Sequence, residues 1–178
     1  MSGVIRVFWT LVVHVIVFLV LFGLLYFMFG GQDAMSDQLR NQYSDNPDAL
    51  DSIRSATMWR IIRAGALIMS WSWIMSALWL LIAERQRPST PAQGASMTAA
   101  WVIFLVVTLI GYTAMSWWVV WRSTASIDLA PWVFSTGAIV IFFAAFLAYY
   151  FGTAISVKTV MRPSVPLSGL IPNIGGRA

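Results

Sequence analysis

Four long apolar runs, separated by shorter polar stretches, organise the chain. Residues 7–29 carry no charged side chain and one histidine, His14, while residues 64–83, 99–121 and 129–157 carry no charged side chain and no histidine. A bilayer core of about 30 Å is crossed by roughly 20 helical residues at about 1.5 Å each. Each run is long enough to span it alone. In hydrocarbon the backbone N–H and C=O groups must be satisfied within the segment, so all four runs are predicted to be helices. The pattern describes an all-α integral membrane protein with four transmembrane helices in a single domain. The first run is also too long for the h-region of a signal peptide, usually about 7–15 residues. Gly30-Gly31-Gln32-Asp33-Ala34 after it is a poor cleavage site, so the run reads as a retained anchor.

The connectors sharpen this outline. Residues 30–63 are the most polar part of the chain and hold Asp33, Asp37, Asp45, Asp48 and Asp51. Asn46-Pro47 has the form of a helix start, with Asn as cap and Pro in the first turn. Asp48 and Asp51 suit the positive end of the helix dipole. Leu50, Ile53, Met58, Ile61 and Ile62 then lead straight into the second span. One long helix is predicted over residues 47–84, its N-terminal portion outside the membrane. The five aspartates lack the spacing of a calcium-binding loop and read as a solvated acidic face. Residues 85–96, with Pro88, Pro91 and Gly94, are predicted to interrupt the helices. The short third connector makes spans three and four antiparallel neighbours, with Asp128 a candidate cap. The tail, residues 163–178, interleaves Pro and Gly with Val165, Leu167, Leu170 and Ile171. It reads as a disordered end or as a strap that orders against a partner.

Composition then narrows the function classes. The chain is 59% hydrophobic and only 10% charged, far from the balance of a water-soluble domain, which has roughly 25% charged residues. Cysteine is absent, which excludes disulfides, thiolate catalysis and Cys-ligated metals within the chain. The net charge of +4 does not indicate nucleic acid, because the eleven Lys and Arg lie at segment ends without a basic stripe. They mark membrane boundaries. Trp9, Trp59, Trp101, Trp117, Trp118, Trp121 and Trp132 lie near span ends, where indoles favour the headgroup level. Trp71, Trp73 and Trp79 lie inside the second span, and a buried indole requires a partner for its N–H. Six basic residues fall on the side of the termini and five on the other. The Arg85/Arg87 pair and the C-terminal cluster favour both termini on the cytoplasmic side.

Candidate chemistry is sparse. His14, about 10 Å inside the first span, is the one intramembrane ionisable group, a costly placement that marks a candidate site. No carboxylate or second ligand at similar depth accompanies it, so it reads as a neutral histidine bonded to a neighbouring helix. Ser72 and Ser76 share a face with Ala83, while Ala66 and Ser70 share another; their hydroxyls suit interhelical bonds. Ala144, Ala148, Gly152 and Ser156 recur every fourth residue and form a small-residue stripe about 18 Å long that lets helix backbones approach closely. Thr108, Gly111 and Thr113 are its proposed counterpart on the third span. Nucleotide-binding loops, zinc-protease and serine-hydrolase motifs are absent from the sequence.

The sequence is therefore read as a non-enzymatic structural or accessory subunit of a larger membrane complex serving secretion, conjugation, transport or respiration. Its expected partners are other membrane protein subunits and the lipid bilayer, with no cofactor and no nucleic acid. Its expected location is a bacterial inner membrane. One alternative is a small homo-oligomeric channel or transporter lined by the serine face of the second span. Another is a redox subunit contacting haem or quinone through His14. Four-helix architecture recurs among unrelated membrane subunits and does not by itself supply a function.

Overall fold

The computed structural model describes residues 3–28, 34–86, 90–122, 130–157 and 159–171, with the side chains of 119–122, 134, 159 and 160 outside the description. Four of its helices are long and apolar enough to cross a membrane: α1 (Gly3–Met28), α3 (Pro47–Arg85), α4 (Pro91–Arg122) and α5 (Pro131–Ser156). A short α2 (Asp37–Gln42) lies between the first two, and two 3₁₀ turns, Thr159–Ser164 and Ser168–Leu170, follow α5.

Local chemistry sets the helix starts. Ser36 caps α2 by accepting from Leu39 N, and the Asn46 side chain accepts from Ala49 N at 3.2 Å to cap α3. At α4 the outcome differs from the sequence reading. The helix begins at Pro91, well before residue 99, because Thr90 Oγ1 accepts from Gln93 N–H at 3.3 Å and Pro91 fits a first helical turn. Pro88 lies outside the described residues, as does Asp128; the cap of α5 is Ala130, without a side-chain bond. Its N–H instead donates to the carbonyl of Ala34 at 2.9 Å, so the connector after α1 closes over the start of α5. Within that connector Asp37 pairs with Arg40, and Asp51 with Arg54 at 3.2 Å.

The helices pack as a bundle in which α3 and α5 touch each other and both flanking helices. Accordingly 44% of the spanning windows of α3 and α5 is buried, against 17% for α1 and α4. Two apolar clusters divide the interior by depth. Toward the Met28 end of α1, Leu21 and Leu25 pack with Ile68, Met69, Ile141, Ala144, Ala145 and Ala148. Toward the other end, Trp79, Leu80 and Ala83 meet Met97, Trp101, Tyr149, Val157, Met161 and Val165. α4 is fastened to α5 at two depths. Trp101 Nε1 donates to Thr153 Oγ1 (2.9 Å) and Tyr149 OH returns a bond to Trp101 O (3.0 Å), while Tyr112 OH donates to Ala138 O (2.6 Å).

The described part of the tail is only partly packed on its own chain. Val165, beside Met161, is buried against α4 and the end of α5, and Ile171 packs partly there, whereas Leu167 and Leu170 stay exposed. Arg162 locks the turn: its guanidinium donates to Ser168 O, and Ser168 Oγ donates back to Arg162 O at 2.6 Å. That closure holds Leu167 in the left-handed region, at φ 57°.

Candidate functional site

The inward face of α1 is built from two chemistries. Its buried positions are Arg6, Thr10, His14, Leu21 and Leu25, polar in the first half of the helix and apolar in the second. Residues four apart share a helix face, so Arg6, Thr10 and His14 form one polar ridge. The α5 stripe runs antiparallel against it. Arg6 Nη1 reaches Ser156 O at 3.4 Å, and Thr10 Oγ1 reaches Gly152 O at 3.3 Å, one turn on along each helix. A Cβ on Gly152 would stand 2.9 Å from His14 Cε1 and 3.1 Å from Thr10 Cγ2. Glycine at this position makes room for the imidazole.

The small-residue stripe thus meets α1, and the expected counterpart on the third span is corrected. Gly111 of α4 faces the Trp71 indole of α3, which occupies the space a Cβ would need. Thr108 Oγ1 and Thr113 Oγ1 turn back to carbonyls of their own helix, Phe104 O and Leu109 O. The reason is volume: α5 opposes α4 with Tyr149 and Thr153, whose bonds to Trp101 hold those two helices together through large side chains rather than backbone contact. Of the stripe, Gly152 and Ser156 border the polar ridge, and Ala144 and Ala148 lie deeper among Leu21 and Leu25.

His14 sits where α1, α3 and α5 converge, 3% exposed. Its Nδ1 lies 2.8 Å from Thr10 O, and its Nε2 lies 3.1 Å from Ser72 Oγ. A carbonyl only accepts, so Nδ1 carries the proton and Nε2 of a neutral ring accepts from Ser72. The Ser72 hydroxyl also lies 3.1 Å from Ala145 O. One hydrogen therefore serves two acceptors. Ser76 Oγ donates to Ser72 O at 2.9 Å. Ser72 and Ser76 are both fully buried inside the monomer, whereas Ser70 is exposed and bonds back to Ala66 O.

Above this junction Arg6 meets Glu84 of α3, with Nε 3.5 Å from Oε2. The side chains are 8% and 29% exposed, so the pair leads from the interior to the surface. Arg6 reads from its position as a boundary charge; its place in the interior follows from the four-residue spacing to Thr10 and His14, a signal present in the sequence. Glu84 has no such signal. The connected groups Glu84, Arg6, Thr10, His14, Ser72 and Ser76, with the carbonyls of Ser156, Gly152 and Ala145, constitute a polar file through half the bundle.

Both ring nitrogens of His14 are engaged within the chain, which defines its measurable contribution. His14→Leu removes the bonds to Thr10 and Ser72 but leaves the Ser72 hydroxyl a partner in Ala145 O. Interhelical hydrogen bonds in membranes are worth about 0.6–1.7 kcal/mol, and the expected loss of stability is about 1 kcal/mol. Denaturation by SDS, followed by circular dichroism, measures it. A loss well above the upper value would assign His14 more than these bonds.

A second polar feature faces outward. Leu11, His14, Val15 and Phe18 of α1 and Ala66, Met69, Ser70 and Trp73 of α3 line a groove of about 240 Å³. In it the Trp73 indole nitrogen is buried without a hydrogen-bond partner among the described residues. Comparison of the chain with protein-family models, with curated proteins and with solved structures found no match.

Proposed function

We propose that this protein is a non-catalytic subunit of a larger membrane assembly, held to its neighbours by helix packing. The carrying observation is the Trp73 indole N–H, buried at the α1/α3 groove without an acceptor among the described residues. Near the middle of a span no water competes for it, and an unsatisfied donor in hydrocarbon is costly. A helix from another membrane protein, laid along α1 and α3, supplies apolar contact, and a turn of the Trp73 indole toward the groove brings its N–H to an acceptor on that helix. The broad exposure of apolar side chains on α1, from Phe8 and Ile16 to Leu19, Val20 and Phe27, suits such a neighbour as well as lipid.

In this reading the protein resides in a bacterial inner membrane with both termini cytoplasmic. Arg85 and Arg162 then lie at the cytoplasmic leaflet, on the side where the Arg6–Glu84 pair approaches the surface. The early turns of α3, with Asp48, Asp51 and Arg54, project from the opposite face. The test is extraction of a tagged copy from native membranes in mild detergent. A particle well above the 19.8 kDa chain with its micelle is expected, and Trp73→Ala is expected to shift the chain toward its monomeric size. A monomer from native membranes contradicts the proposal.

A further inference from the structure

The polar file is under-bonded at one end. A guanidinium has five N–H donors, yet Arg6, 7% exposed, makes two long contacts: 3.4 Å to Ser156 O and 3.5 Å to Glu84. Ser156 is wholly buried and its hydroxyl has no partner among the described residues. Thr10 Oγ1 divides one hydrogen between Arg6 O and Gly152 O, and Ser72 Oγ divides one between His14 and Ala145 O. Buried polar groups left short of partners in this way are where internal water resides, typically making about three bonds each. The surroundings fix a direction. Glu84 opens to the surface at one end, while beyond His14 the interior becomes Leu21, Leu25, Ile68, Ile141 and Ala144.

We infer that water enters the bundle at the Arg6–Glu84 pair and runs as a blind file about 12 Å long to His14, making this histidine a proton-exchanging group open to one side of the membrane only. The step requires no other reactant. A water at the end of the file gives a proton to His14 Nε2. Ser72 turns its hydrogen wholly to Ala145 O, and the new Nε2–H donates to Ser72 Oγ. The resulting hydroxide is neutralised by a proton passed inward along the file. Return to neutral imidazole reverses each transfer. Among the described residues, the charged groups that face the file are Arg6 from α1 and Glu84 from α3; those of α5 add none, since Tyr149 OH is turned to Trp101 O. With no polar route beyond His14 among the described residues, the file exchanges protons without conducting them across. Intramembrane ionisable groups beside polar chains commonly serve as such relays.

His14 is the chain's sole histidine, so histidine-labelled protein in bilayers gives ring signals that need no assignment. Water-edited solid-state NMR is expected to show polarisation reaching the His14 ring several-fold faster than the methyls of Leu21 and Leu25. Equal, slow build-up at all three overturns the inference, and unmodified protein suffices for that decision. Sidedness is read separately. The chain has no cysteine, so Ser72→Cys carries a single thiol, which silver ion, about the size of water, can reach in oriented vesicles. Protection from later alkylation is expected only when silver is applied on the Glu84 side, and Leu21→Cys should stay unprotected from either side. Protection of Ser72→Cys from both sides, or from neither, also overturns it. These outcomes are independent of whether the protein copurifies with partners.

Discussion

Replacing Glu84 with leucine is expected to destabilise the bundle by about 3 kcal/mol, while replacing its partner Arg6 with leucine costs about 1 kcal/mol. Removing one member of a buried pair leaves the other uncompensated, a penalty of about 3–5 kcal/mol when both are enclosed. Here the members differ in access to water. Glu84, at 29% exposure, can hydrate where it stands once Arg6 is gone. Arg6, at 8%, has only the few confined waters of the file and a long contact to Ser156 O, too little to replace a carboxylate. The double leucine variant removes both charges and is expected to be more stable than Glu84→Leu alone, because an apolar pair of similar volume often matches or exceeds a buried ion pair. SDS denaturation of the four proteins gives the cycle. Equal losses for the two single variants would show that Arg6 reaches solvent as readily as Glu84.

The second large effect is steric. Gly111→Leu places a side chain where the Trp71 indole lies, and the indole is held there by donating to Val107 O at 3.3 Å. Overpacking in a filled interior costs about 1–3 kcal/mol, and displacing an indole from an α3/α4 contact belongs at the upper end. Trp71→Ala vacates that space. The double variant Gly111→Leu with Trp71→Ala is therefore expected to recover most of the loss, a coupling that separate, non-contacting sites do not show. Thermal denaturation in detergent, monitored by the monodisperse fraction on size exclusion, reads it. Additive losses would place Trp71 elsewhere.

The four apolar helices are legible in the sequence because the bilayer imposes a length and a composition on each. So are individual starts such as Asn46-Pro47, where the cap and the helix-compatible proline are local features. What the sequence obscures is mutual placement. The stripe at Ala144, Ala148, Gly152 and Ser156 announces close packing without naming a neighbour. Its neighbour is selected by volume: the ridge Arg6, Thr10, His14 fits over Gly152, whereas α4 presents Trp101 and meets Tyr149. Arg6 illustrates a second difficulty. Its four-residue spacing puts it on the face of Thr10 and His14, but that this face turns inward at Arg6 depends on Glu84, approaching from a helix that ends 79 residues later in the chain. The start of α4 is a third case. Prolines between two spans suggest a break, yet the proline that follows a capping threonine opens a helix instead.

The bond from Arg6 to Ser156 joins residues 150 positions apart, and it has a consequence for biogenesis. When α1 first enters the membrane, its arginine, threonine and histidine face lipid or the insertion machinery with none of their carbonyl partners on α5 yet synthesised. The polar ridge of α1 thus waits for α5 before its bonds are complete, while α3 and α4 are made in between. A nascent chain interrupted before α5 carries an open polar seam. Such a seam gives membrane quality control a physical mark by which an incomplete copy differs from a finished one.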